Sequence, residues 1–161
     1  MKRMFASVIA VLAVSLVFST GCTPKKEKDP VKSVVKKDHD HPDKGPHGGP
    51  LLEWGAEEYH VEYVFDRDKK QATVYILDDS AAKASPIAVE EVTLTLTHTK
   101  DPIKVALKAD PNKDDPKGKS SRFVAVHDAL GDSAAFKGEI GTKIGDKDYH
   151  DEFAEKAAKK K

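Results

Sequence analysis

The segment YHVEYVF at residues 59–65 alternates apolar and polar side chains over its first five positions. Val61 and Tyr63 fall on one side of this alternation, and His60 and Glu62 fall on the other. Because successive side chains of a β-strand point to opposite faces, a period of two predicts a strand. The apolar side chains should face a core, and we expect His60 and Glu62 to face solvent.

The same rhythm recurs along most of the chain and predicts about eight strands. Residues 66–70 form a polar turn that joins the first strand to a second over residues 72–77. The other predicted strands cover residues 51–52, 92–97, 103–107, 123–126, 136–144 and 149–153. Turns at this spacing predict an all-β protein, a single immunoglobulin-like antiparallel β-sandwich over residues 48–154. A small barrel fits the pattern nearly as well.

The second predicted strand is apolar in both phases. Tyr75 and Leu77 alternate with Val74 and Ile76, so neither side of the strand is polar. Such a strand is typical of a position that is covered on both faces. We therefore predict that it is central or that its outer face is covered.

The composition of the chain limits its classes of function. The 161 residues include 27 Lys and Arg, 27 Asp and Glu, seven His and one Cys. A formal net charge of zero argues against nucleic-acid binding, and a single Cys excludes an intramolecular disulfide and Cys-based zinc clusters. The sequence has no H-E-x-x-H, G-x-S-x-G or glycine-rich phosphate-loop motif, so we predict that the protein is not an enzyme.

Residues 1–21 have the pattern of a bacterial lipoprotein signal peptide. Basic residues precede an apolar run over residues 6–18, which is too short to span a hydrocarbon core as a helix. The following STGC at residues 19–22 resembles a lipobox, although Leu is usual at the position of Ser19. We predict lipidation of Cys22 and membrane anchoring in the bacterial cell envelope, facing the periplasm or the cell exterior. The alternative is ordinary secretion, with Cys22 as an incidental thiol.

Residues 22–47 are predicted to form a flexible tether between the anchor and the domain. Apart from three Val residues, they hold mainly Lys, Asp, Pro and His. Such a segment cannot bury enough apolar surface to offset its conformational entropy. Residues 155–161 form a Lys-rich tail that we expect to fray.

Three histidines of the tether are candidate metal ligands. His39, His41 and His47 lie within nine residues, beside several Asp side chains. Imidazole suits copper and zinc, and the His-Gly-Gly segment at residues 47–49 adds two unhindered amides, as in the copper-binding repeats of prion protein, which it resembles. His60 and Glu62 are further candidate ligands on the strand. The alternative is that the histidines only solvate a linker and the glycines form a turn into the first strand.

Four short motifs resemble a known envelope domain: HGG at residues 47–49, YHVE at 59–62, VYILD at 74–78 and VTLTL at 92–96. They are similar to the N-terminal β-sandwich of some periplasmic adaptor subunits of heavy-metal efflux pumps. They are more similar still to uncharacterised bacterial envelope lipoproteins that carry this domain alone. The resemblance implies an envelope location and, as a partner, another envelope protein such as a metal efflux component. The hairpin, lipoyl and barrel segments of an adaptor have no counterpart in this chain.

Two functions are compatible with these features. The first is a lipid-anchored envelope protein that binds or buffers copper or zinc through His39, His41 and His47. The second is a non-catalytic immunoglobulin-like interaction module of the cell envelope that has no metal role. Replacement of the tether histidines distinguishes the two, because only the first depends on their side chains.

Overall fold

A computed structural model describes residues 42–132 and 135–156. This part of the chain contains eight β-strands and one short 3-10 helix, Asp128–Gly131. The strands are β1 (Leu51–Trp54), β2 (Tyr59–Asp66), β3 (Gln71–Leu77), β4 (Glu91–Leu96), β5 (Ile103–Ala109), β6 (Arg122–Val126), β7 (Phe136–Ile144) and β8 (Lys147–Glu155). The predicted all-β class is confirmed, and each predicted strand ends within two residues of the observed one.

All eight strands belong to one antiparallel sheet, in the order β1-β2-β3-β6-β5-β4-β7-β8. β6 joins the two halves of this sheet, and it pairs with β5 at only two positions, one of them Phe123 opposite Ala109. The first and last strands approach each other, and the N–H of Glu53 on β1 donates to Asp151 Oδ2 on β8 at 3.3 Å. The sheet is therefore nearly closed, like a barrel.

This arrangement differs from the predicted sandwich in one respect. A sandwich has two separate sheets, whereas β6 here pairs with β3 on one side and with β5 on the other. The result is closer to the small barrel that fits the same pattern of strands. The pairing of β5 with β6 is the physical reason, because it links the two halves through the backbone.

One apolar core lies inside the curved sheet and takes side chains from all eight strands. Its aromatic members connect the first two strands to the last. Tyr63 on β2 lies 5.1 Å from Phe153 on β8 between ring centroids, and the fully buried Trp54 on β1 lies 6.0 Å from Tyr149 on β8. Tilted aromatic pairs stabilise a fold by more than the burial of their surface area alone. These contacts therefore help to hold the first and last strands of the sheet together.

The outer faces of β2 and β3 are covered as well as the inner ones. On β2, His60 is 1% exposed and Glu62 is 0% exposed, so the prediction that they face solvent is wrong. The alternation placed them correctly on the face opposite Val61 and Tyr63. That face is covered because residues 44–50 fold back over Glu62. The two-sided burial predicted for β3 is confirmed, since Leu77 and Ile76 are both buried.

Candidate functional site

The segment before β1 forms a tight loop that packs against β2. Lys44 and Pro50, at the two ends of the loop, form an isolated antiparallel β-bridge. Inside it, the Gly45 N–H donates to Gly49 O at 2.9 Å and the Gly48 N–H donates to Gly45 O at 3.0 Å. Gly48 has a φ of +84°, a conformation that glycine adopts without steric cost. The contacts of the domain therefore extend upstream of residue 48.

Glu62 is the anchor of this loop. Its Oε1 accepts the backbone N–H of His47 and that of Gly49, each at 2.8 Å. Its Oε2 contacts Nδ1 of the His47 ring, also at 2.8 Å. Removing a carboxylate from water costs several kcal/mol unless hydrogen bonds replace the lost hydration. Hydrogen bonds to a charged group stabilise by about 1.5–3 kcal/mol each, so the loop and the buried carboxylate stabilise each other.

The ring of His47 is held in one orientation. It stacks on Tyr75 of β3 with ring centroids 3.6 Å apart and an interplanar angle of 4°. Tyr75 is placed there because it lies directly opposite Glu62 in the pairing of β2 with β3. When Glu62 is ionised and the ring is neutral, Nδ1 donates to the carboxylate and Nε2 keeps the ring's lone pair, because an ionised carboxylate only accepts hydrogen bonds. The His47 side chain is 43% exposed, which leaves the ring accessible from solvent.

The two glycines after His47 have different structural roles, which substitution by Ala should separate. A Cβ at Gly49 would lie 2.3 Å from Tyr63 O, whereas a Cβ at Gly48 would meet no atom within 4 Å. We expect Gly49→Ala to detach the loop, so that the His47 amide loses its protection from hydrogen exchange. Gly48→Ala should cost about 1–2 kcal/mol in backbone strain but keep that protection. Equal protection of the His47 amide in both variants would contradict this account.

His60 lies two residues before Glu62 on β2 but makes a different contact. Its Nδ1 lies 3.0 Å from Asp78 O, in the segment that follows β3. Burial alone would raise the pKa of Asp78, but hydrogen bonds from Ser80 and from the N–H groups of Lys83 and Ala82 outweigh it and lower that pKa. The Asp78 carboxylate therefore holds the turn after β3 in place, and the backbone carbonyl of the same residue contacts His60.

The structure brings together two of the five predicted metal-site residues, His47 and Glu62. His60 lies nearby on β2, while His39 and His41, like the predicted lipidation site Cys22, lie outside the described residues. Within residues 42–132 and 135–156, no group of three or more His, Cys, Asp or Glu side chains is arranged to hold a metal ion. Of the five residues, His47 and Glu62 are in direct contact, through Nδ1 and Oε2 at 2.8 Å.

Sequence reasoning did not identify Tyr75 as the partner of the His47 ring. It also did not identify Gly45, where a Cβ would lie 2.4 Å from Glu62 Cδ. One signal was present: three glycines fall within the five residues 45–49, which is the composition of a loop that approaches another chain segment closely. The residue that such a loop approaches depends on tertiary structure.

The other described histidines lie apart from this site. His150 is exposed on β8, and His127 caps the 3-10 helix, where its Nδ1 accepts the Ala129 N–H at 3.1 Å. His98 follows β4, and its ring packs on Phe136 at 5.0 Å between centroids.

Comparisons of the chain with protein-family models, with curated proteins and with solved structures find no match. In the part of the chain that the structure describes, no helix is long and apolar enough to cross a membrane.

Proposed function

We propose that this protein is a lipid-anchored component of the bacterial cell envelope that binds copper or zinc ions through His47, with His39 and His41 as further ligands. Cys22 and the signal-peptide pattern before it support the anchor. The resemblance to domains of heavy-metal efflux adaptors supports the compartment and the class of ligand. Glu62 acts as a support rather than as a ligand, and the proposal does not use His60.

The observation that carries the proposal is the contact between the His47 ring and the buried Glu62 carboxylate. A histidine that binds a metal through one ring nitrogen almost always donates its other N–H to a carboxylate, a carbonyl or water. That hydrogen bond fixes the tautomer and the orientation of the ring. Glu62 provides this contact to Nδ1, and the stacking on Tyr75 fixes the plane of the ring.

The tether histidines complete a donor set that suits borderline metal ions. His41 and His39 lie six and eight residues before His47. An extended chain spans about 3.3–3.6 Å per residue, so both side chains can reach the same ion as His47. Imidazole nitrogen suits zinc and copper, and three protein ligands leave a further coordination position open to water or to a transferred ligand.

Calorimetric titration of the purified mature protein with Zn(II) and Cu(II) tests the proposal. We expect stoichiometric binding that is lost when His39, His41 and His47 are all replaced by Ala. His47→Ala alone should weaken Zn(II) binding by more than the roughly 10–100-fold that loss of an outer hydrogen-bond partner costs.

The matched control is His150→Ala, which removes an exposed histidine on β8 and should leave the affinity unchanged. Binding that the triple variant keeps at full strength would overturn the proposal. The interaction module would then be the better description, and cross-linking in the envelope would be the way to its partner.

A further inference from the structure

We infer that Glu62 decides which nitrogen atoms of the His47-Gly48-Gly49 segment a metal ion can reach. In the folded domain only the ring is available, so the segment is closed to Cu(II) binding through backbone amides. This inference rests on the proposed function because it concerns the same site. It adds that the folded site discriminates between Zn(II) and Cu(II). Glu62 is a specificity-determining residue in this view, although it is not itself a ligand.

Amide coordination by a His-Gly-Gly segment needs three nitrogen atoms to converge on one ion. In the structure, two of the three, Nδ1 of His47 and the backbone N of Gly49, converge instead on the two oxygens of Glu62, at 2.8 Å each. The third, the backbone N of Gly48, donates to Gly45 O at 3.0 Å. The Glu62 carboxylate thus engages two of the three nitrogens that a square-planar ion would need, and Gly45 O engages the third.

An ion cannot simply displace these hydrogen bonds one at a time. An ion that binds an amide nitrogen replaces its hydrogen, which leaves as a proton to solvent. Glu62 has no room to move aside, because it is fully buried and the Gly45 backbone packs against it so closely that an added Cβ would lie 2.4 Å from Glu62 Cδ. Amide coordination therefore requires the whole loop to leave β2.

Departure of the loop would leave a buried charge without its donors. Glu62 would lose both backbone N–H groups and the His47 ring, and a buried charged group without partners is strongly destabilising. Binding through Nε2 of His47 breaks none of these contacts. The folded domain therefore favours ions that bind through imidazole alone, such as Zn(II), and weakens the advantage that Cu(II) ordinarily has over Zn(II) at nitrogen sites.

Two substitutions at Glu62 separate the roles of its oxygens. Glu62→Leu removes every acceptor and should release the loop. Glu62→Gln keeps a carbonyl oxygen for the N–H groups of His47 and Gly49, so the amides should stay engaged. His39→Ala and His41→Ala are included in each protein to remove the tether ligands, and an added His47→Ala provides the blank.

Visible absorption, circular dichroism and EPR spectra of added Cu(II) at neutral pH provide the readout, because amide nitrogen donors shift the Cu(II) bands to shorter wavelength. A synthetic peptide of residues 44–50 gives the reference spectrum of the unmasked segment. We expect the peptide spectrum from Glu62→Leu and not from the parent or Glu62→Gln. A parent that gives the peptide spectrum while folded, or a folded Glu62→Leu that does not give it, would overturn the inference.

If Glu62→Leu fails to fold, urea unfolding of the parent provides the same test. Trp54 is the only Trp in the chain and is fully buried, so its fluorescence follows unfolding. The amide-type Cu(II) spectrum should appear together with the fluorescence change, and its appearance before unfolding would overturn the inference. If the protein with all its histidines binds no Zn(II) in the calorimetric titration and Glu62→Leu still gains the amide spectrum, the proposed function fails while the masking by Glu62 holds.

Discussion

Replacing Phe123 by Ala is expected to lower the free energy of unfolding by about 3–5 kcal/mol, the usual cost of removing a fully buried aromatic ring. Phe123 is 0% exposed and lies on β6, the strand that joins the two halves of the sheet. It lies opposite Val74 on β3 and opposite Ala109 on β5. Because β5 and β6 pair at only two positions, few backbone hydrogen bonds join the two halves there. The packing of the Phe123 ring should therefore contribute much of the stability of this junction.

Urea denaturation followed by Trp54 fluorescence measures this loss. The control is Val126→Ala on the same strand, where the side chain is 69% exposed and the change should stay within about 0.5 kcal/mol. If Phe123→Ala has no folded population, Phe123→Leu should show a smaller loss in the same direction. Equal effects of Phe123→Ala and Val126→Ala would mean that the joint between the halves does not depend on the ring.

The strands could be predicted from sequence because their signals are local. The alternation at residues 59–65 and the polar turn at 66–70 depend on neighbouring residues only, and β2 and β3 form where these signals place them. The joining of the halves could not be predicted in this way. It depends on β6 pairing with β3 as well as with β5, and in the pairing with β3 Tyr75 lies opposite Arg122, 47 positions further along the chain.

The candidate site was predictable only in part, for the same reason. Periodicity placed Glu62 on the face opposite the core, and composition singled out His47. Whether that face is open or covered depends on a loop that folds back over it, and no periodicity reports such a contact. The three glycines among residues 45–49 are typical of a loop that approaches another segment closely, but the pairing of β2 with β3 is needed to place Tyr75 beside Glu62.

Glu62→Gln is expected to lower the affinity for Zn(II) by about 10–100-fold while the domain stays folded. Glu62 Oε1 accepts two backbone N–H groups, so the carbonyl oxygen of the replacement takes that side and its NH₂ group faces Nδ1 of His47. Two donors cannot share that contact. Nδ1 must then accept, the ring proton moves to Nε2, and the lone pair that would bind the ion is lost.

Two measurements on the purified protein separate this effect from a general loss of structure or charge. Zinc titration gives the affinity, and long-range ¹H–¹⁵N NMR of the His47 ring shows which nitrogen carries the proton. Glu139→Gln on β7 makes the same change in charge in the other half of the sheet and should alter neither. An unchanged tautomer in Glu62→Gln, or an unchanged Zn(II) affinity despite a changed tautomer, would show that Glu62 anchors the loop without orienting His47 for a metal ion.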